Sequence, residues 1–178
     1  SIVNQQKIFN RHVNILPKTL FGKNIKSHSN MSLLEFREAV SINSYENLSY
    51  YIEKISNGEQ NVLWPSQVLY FSKTSGTTSG VKYIPLTTEM LNAQINASKE
   101  ALLLYAHKTK KYNIVSGKMM FLQGSPFLKN YNKIPTGRLS GIVAHHVPSF
   151  LKKNRLPSFK TNSLSNWEDK LSEIIKET

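Results

Sequence analysis

No cysteine occurs in the 178 residues of this chain, which removes disulfides and every thiolate-based zinc or redox site. A reducing cytoplasm suits such a chain, and a cytoplasmic location is the expectation. Acid is also scarce, with 11 Asp and Glu against 23 Lys and Arg. Asp169 is the single aspartate, so a Ser-His-Asp constellation has almost nothing to draw on. Residues 101–160 hold no Asp or Glu at all. His145 and His146 fall in that segment, and without acidic or thiol neighbours they make a poor metal site; no metal ligand is assigned. Long apolar runs are missing as well. The longest, residues 101–106, falls far short of the ~20 residues that cross a bilayer. Gln5, Gln6, Lys7, Asn10 and Arg11 interrupt the first hydrophobic stretch, so it reads as no signal-peptide core. No membrane partner is expected.

What is present is positive charge, and it is unevenly spread. The net charge is +12, and residues 101–160 are basic without relief. Such a block suits a nucleic-acid surface, a field that draws in ATP or a CoA-type anion, or a merely solvated face. The basic residues are scattered among apolar segments and no nucleic-acid motif accompanies them, which argues against nucleic acid. A hydrophobic content of 39% is enough for a real core.

The most informative stretch is FSKTSGTTSGVKYIP, residues 71–85. Its glycines let the backbone turn and bring N–H groups close to an anion. Its hydroxyls donate to phosphate oxygens, and Lys82 adds a mobile charge. The Walker A order fails here: Gly76 and Gly80 are one residue too close, Val81 follows the second glycine, and Tyr83 follows the lysine. The three-glycine dinucleotide fingerprint fails too. Strand-like residues 68–71 and 81–84 flank the loop and predict a strand–loop–strand hairpin. On composition alone, a polyphosphate cradle and a solvated Ser/Thr/Gly loop both fit.

The order of residues resembles the AMP-binding signature of acyl-adenylate-forming enzymes: paired hydroxyl residues, glycine, paired hydroxyl residues, a small residue, then apolar and basic positions. Thr74, Ser75, Gly76, Thr77, Thr78, Ser79, Val81 and Lys82 fill it, with Ser79 where many relatives carry glycine. Further segments are similar to the GH3 family, the auxin-responsive acyl-acid amido synthetases, and most of all to its bacterial members. These are YIEKISNGE (51–59), VLWP (62–65), GKMMFLQG (117–124) and GRLSGI (137–142).

That resemblance implies an α/β fold, the N-terminal part of the large domain of an adenylate-forming enzyme, with residues 1–178 forming one portion of it. It implies an ATP-dependent ligase that activates a carboxylic acid as acyl-AMP and passes it to an amine or a thiol. Thr74, Ser75, Gly76, Thr77, Thr78, Ser79, Gly80 and Lys82 would bind the phosphates, and Lys82 is the catalytic candidate. Arg138 and His145 are candidates for contact with substrate or another anion. Mg²⁺ is implied, with its ligands expected outside this fragment, and the fragment alone is expected to be inactive. A basic nucleic-acid module and a non-catalytic interaction domain are the alternatives.

Periodicity and caps predict helices over 2–16, 32–40, 45–57 and 87–108, the last with Met90, Leu91, Ala97, Ala101, Leu102 and Tyr105 on one side. Residues 118–123 read as a buried strand, with Met119, Met120 and Phe121 in the core. Residues 128–137 read as the floppiest stretch, and 139–146 as a helix. Ser165 and Glu168 read as a capping box for a helix to Lys176. Trp64 reads as a packing anchor.

Overall fold

The computed structural model describes residues 2–74, 80–114 and 116–178, the Phe150 side chain aside. The chain divides into two compact units, Ser1–Leu69 with Tyr131–Ile134, and Tyr70–Asn130 with Pro135–Thr178.

The first unit is helical. Helix α1 (Ile2–Ile15) gives way to a 3-10 turn at Leu16–Lys18, where Pro17 cannot continue the α-helical ladder. Thr19 caps α2 (Leu20–Asn24), its hydroxyl accepting from the Gly22 N–H at 2.9 Å. The expected capping box opens α3 (Leu33–Ala39): Ser32 N–H donates to Glu35 at 2.7 Å, and Glu35 N–H donates back to Ser32 at 3.2 Å. The helix expected from residue 45 is a 3-10 turn (Glu46–Leu48) running into α4 (Ser49–Ser56). Gly58 closes it at φ +91, a conformation in which side chains are strained. Val13, Ile52, Ile55 and Val62 are among the unit's buried apolar residues. Trp64 meets His12 edge-on at 5.5 Å, the packing role expected of it.

A four-stranded sheet in the order β2-β1-β5-β4 is built from the second unit apart from Tyr131 and Ile134. Its strands are β1 (Tyr70–Lys73), β2 (Tyr83–Leu86), β4 (Lys129–Tyr131) and β5 (Ile134–Gly137). Strands β1 and β2 pair antiparallel, Phe71 opposite Pro85, while β1 and β5 pair parallel, Phe71 opposite Thr136. Pro85 is tolerated because β2 is an edge strand, where one side of the backbone needs no ladder bond. Helix α5 (Thr88–Thr109) follows from Thr87, whose hydroxyl accepts from Met90 N–H at 3.3 Å. Helix α6 (Leu139–His145) buries Gly141, Ile142 and Ala144. Leu86, Leu91 and Ile142 make the core cluster, with Tyr70, Leu128 and Leu139 against it. A separate pair, β3 (Met119–Met120) and β6 (Arg155–Leu156), runs parallel; the short helices α7 (Ser149–Lys152) and α8 (Phe159–Asn162) precede and follow β6 along the chain. The last helix is α9 (Trp167–Glu177).

Four expectations change. Residues 118–123 hold only the short β3, and Met120, Phe121 and Leu122 are exposed rather than core, because β3 has one described partner strand. Residues 128–137 form the β4 and β5 strands, turning at Asn132 with φ 51, which asparagine accepts more readily than most residues. Helix α5 buries Leu91 and Ala106 and leaves Met90 and Tyr105 exposed, so its apolar stripe is not covered by described residues. Helix α9 is capped by Asn166, not Ser165: its side-chain oxygen accepts from the Glu168 and Asp169 N–H groups at 2.8 and 3.1 Å. An asparagine one residue closer reaches both donors, so Ser165 is displaced as the cap.

Glu177 ties α9 to α8. Partial burial pushes its carboxyl upward, but the Ser158 and Thr161 hydroxyls, the Ser158 N–H and nearby Lys118 outweigh it and hold it below the ordinary 4.5. The Thr161 hydroxyl and the Ser158 N–H donate to it at 2.6 and 2.7 Å. A depressed carboxyl stabilises the fold above its unfolded value and loses that contribution as pH falls through its folded value. Thermal melts should therefore fall as pH drops below 4.5, and Glu177→Gln should flatten that limb. Parallel acid limbs in the two proteins would remove Glu177 as a cause.

Candidate functional site

The hairpin builds the site from its backbone. Beyond the last paired residues, Lys73 and Tyr83, the Thr74 N–H donates to the Lys82 carbonyl at 3.0 Å. The Lys82 N–H lies 3.4 Å from the Thr74 hydroxyl. These two residues thus close the neck of the loop. Thr74 is exposed and Lys82 half-buried. Gly80 sits at φ +82, where an L side chain is strained, and an added Cβ there would meet none of the described residues within 4 Å. Ser75, Gly76, Thr77, Thr78 and Ser79 lie outside the described residues.

Parallel pairing of β1 and β5 fixes what stands beside the neck. Ser72 lies opposite Gly137, so the chain leaves both strands at one edge of the sheet, toward Thr74 on one and Arg138 on the other. Carboxyl ends of neighbouring parallel strands are where open α/β sheets hold ligands. Arg138 caps α6 without a side-chain bond to it. Its side chain instead runs along Gly124: a Cβ on that glycine would come within 2.9 Å of Arg138 Cδ. Gly124 N–H donates to the Ser140 hydroxyl at 3.0 Å, and a Cβ on Gly141 would lie 2.2 Å from the Ser125 carbonyl oxygen. The glycines of the two motifs therefore let residues 123–126 lie directly on residues 137–141.

Two concavities open from this junction. One, about 330 Å³, is lined by Arg138, Ser140, Gln123 and Lys170 among others. Lys170 is buried and donates to the Asn162 carbonyl at 2.8 Å. The other, about 370 Å³, is lined by His145, Lys152 and Arg155, and it shares Gln123 and Asn162 with the first. His145 Nε2 lies 2.8 Å from the Pro126 carbonyl, so that nitrogen carries the proton, and its ring meets Phe159 at 5.5 Å. His146 packs edge-on to Tyr70 at 5.6 Å, and its Nε2 is buried with no hydrogen-bond partner among the described residues. The structure brings Thr74, Gly80 and Lys82 together, and lines separate concavities with Arg138 and His145.

Lys152, Arg155 and Lys170 carry no motif. Lys152 comes from α7, Arg155 from β6 through its pairing with β3, and Lys170 from α9; their placement at the concavities depends on contacts between elements that no local pattern reveals. Among the described residues, no group of three His, Cys, Asp or Glu side chains could hold a metal ion.

The model of the GH3 family N-terminal domain matches residues 3–175. The chain belongs to the GH3 family. This GH3 domain is 37% identical over 135 residues to an indole-3-acetic acid-amido synthetase, GH3.15, of Arabidopsis thaliana, a match covering 72% of this chain and 21% of that protein. It is 26% identical over 120 residues to the jasmonoyl-L-amino acid synthetase JAR4 of Nicotiana attenuata, covering 66% of this chain and 20% of that protein. Among solved structures, the GH3.15 acyl acid amido synthetase superposes with a TM-score of 0.71 at 20% identity, over 91% of this chain and 28% of that one. The likeness supports the expected α/β fold. The GH3 domain spans about a fifth of the length of the curated relatives it matches.

Proposed function

We propose that this GH3 domain supplies the phosphate-binding part of an ATP-dependent ligase joining a carboxylic acid to an amine. The observation that carries the reading is the closed hairpin neck at Thr74 and Lys82, with Gly80 at positive φ, in a chain of this family. ATP supplies the leaving group that a carboxylate lacks. A carboxylate oxygen attacks the α-phosphorus and pyrophosphate departs; the amine nitrogen then attacks the acyl carbon, loses a proton, and AMP leaves with the C–O electron pair. Charge grows on the departing pyrophosphate, and positioned donors and cations stabilise it. Lys82 and the hydroxyls and N–H groups of residues 74–80 take that role. Arg138, at the same sheet edge, offers a second cation to the nucleotide or the acid. Mg²⁺ would neutralise the triphosphate, and the described residues offer no cluster to hold it.

The relatives' names support acid and amine as the substrate classes, with an amino acid as the acceptor of one. The 178-residue chain, a portion of the large adenylating domain in this reading, binds phosphate without turning over.

Pyrophosphate should accordingly raise its melting temperature, since a ligand at a hundredfold over its Kd stabilises the native state by about 2.7 kcal/mol. Fluorescent oligonucleotides should bind weakly. Sub-micromolar, salt-sensitive oligonucleotide binding with no response to pyrophosphate would instead assign residues 101–160 to nucleic acid.

A further inference from the structure

We infer that Asn57 is a site of spontaneous deamidation, and that the fold keeps it closed until the end of α4 opens. The site lies in the first unit and owes nothing to the ligase reading.

Asn57 precedes Gly58, the one place in the sequence where glycine follows asparagine. A glycine nitrogen has no side chain beside it to hinder its approach, and the glycine backbone turns freely once released. The reaction needs only water and base. The Gly58 nitrogen gives its proton to solvent base and attacks Asn57 Cγ. A C–N bond forms, the Cγ–Nδ2 bond breaks, and ammonia leaves after taking a proton from solvent. The product is a cyclic imide. Water then opens it at either carbonyl, leaving aspartate, or isoaspartate with the chain running through the former side chain.

The native geometry blocks the first step. Ring closure requires the Gly58 nitrogen to eclipse Asn57 Cβ about the Cα–C bond. At a ψ of 0 it eclipses the Asn57 nitrogen instead, a third of a turn away. The Gly58 N–H is also committed, donating to the Ile55 carbonyl at 2.9 Å, and the Glu59 N–H donates to the Lys54 carbonyl at 3.1 Å. This pair of bonds ends a helix where glycine takes up a positive φ.

The turn between β4 and β5 clamps the same residues. Lys133 N–H donates to the Ser56 carbonyl at 3.0 Å. The Asn132 side-chain amide donates to the Ser56 hydroxyl at 2.8 Å and to Asn57 Oδ1 at 3.4 Å. Asn57 itself is exposed, so base and water reach it as soon as the backbone turns.

Neither product suits the closed form. A carboxylate at position 57 faces the carbonyl end of α4, where negative charge is unfavourable. Isoaspartate adds a methylene to the backbone before Gly58, which moves the Gly58 and Glu59 N–H groups off their acceptors. Each opening that reacts therefore opposes its own reclosing.

The test follows deamidation by peptide mass spectrometry, with chromatography to separate isoaspartate, on the 178-residue chain at mildly alkaline pH. In denaturing guanidinium, Asn57 should react faster than any other asparagine. In native buffer its rate should fall about tenfold or more, because only the small open fraction reacts. Asn132→Gly keeps a residue that accepts the turn's φ of 51 and removes the clamping amide. Native deamidation should then rise about two- to tenfold, the worth of one hydrogen bond, with the denatured rate unchanged. Equal rates in buffer and guanidinium would show that the fold does not close the site. A faster asparagine elsewhere in the denatured chain would overturn the site itself, and a native rate unmoved by Asn132→Gly would overturn the clamp.

Discussion

Replacing Lys82 by alanine in a longer protein carrying this chain should cut acid-dependent ATP–pyrophosphate exchange by about 10²–10³-fold, the usual effect of removing one donor to developing charge. The melting temperature should barely move. Thr74 and Lys82 close the loop through the Lys82 backbone and the Thr74 hydroxyl, and the substitution leaves both in place. Lys82→Arg keeps the charge but replaces a compact ammonium with a planar fork, so partial activity is the expected result. Exchange assays and melting curves on the three proteins separate the roles. Full exchange in Lys82→Ala, together with a lowered melting temperature, would make the lysine structural and sink its assignment.

Gly141→Ala should destabilise the second unit by about 2–3 kcal/mol, the upper part of the ~1–3 kcal/mol range for forcing an extra methyl into packed structure. In an exposed helix interior the same change stabilises by about 1 kcal/mol, so the sign itself is diagnostic. The added Cβ would lie 2.2 Å from the Ser125 carbonyl oxygen and 3.0 Å from its carbon, both backbone atoms that cannot swing aside. Gly137→Ala is the control, because its nearest obstacle is the end of the Leu128 side chain at 2.7 Å, which can rotate. Thermal melts should show Gly141→Ala lower by roughly 5–10 °C, at about 2–4 °C per kcal/mol for a chain of this size. A Gly141→Ala protein melting with the wild type would mean that residues 123–126 do not lie on α6.

Legibility from sequence followed the range of the interaction. The hairpin was readable because strand formers flank the Ser/Thr/Gly loop on both sides, although β2 runs through Pro85 to Leu86, past the expected end at residue 84. Ser32 and Glu35 were readable because a capping box is complete within four residues. Ser165 was misread as a cap because Asn166, one step closer, serves both first-turn donors. Met119 to Phe121 look like core in isolation, yet their burial depends on strands that must come from elsewhere, and β6 alone does not cover them. The role of Gly124 and Gly141 needed the contact between two distant motifs to be seen. Arg155 escaped notice for the same reason: its nearest chain neighbours give no hint of Gln123 or Phe121.

At Gly80 volume and conformation come apart. A Cβ added there would touch none of the described residues, yet the φ of +82 opposes every side chain built on an L-centre. The restriction is one of handedness. A D-alanine introduced by chemical ligation would carry its methyl on the permitted side and remove the backbone freedom that glycine keeps in the unfolded chain. The way out of the hairpin loop is thus barred to natural side chains by handedness and not by crowding from the described residues.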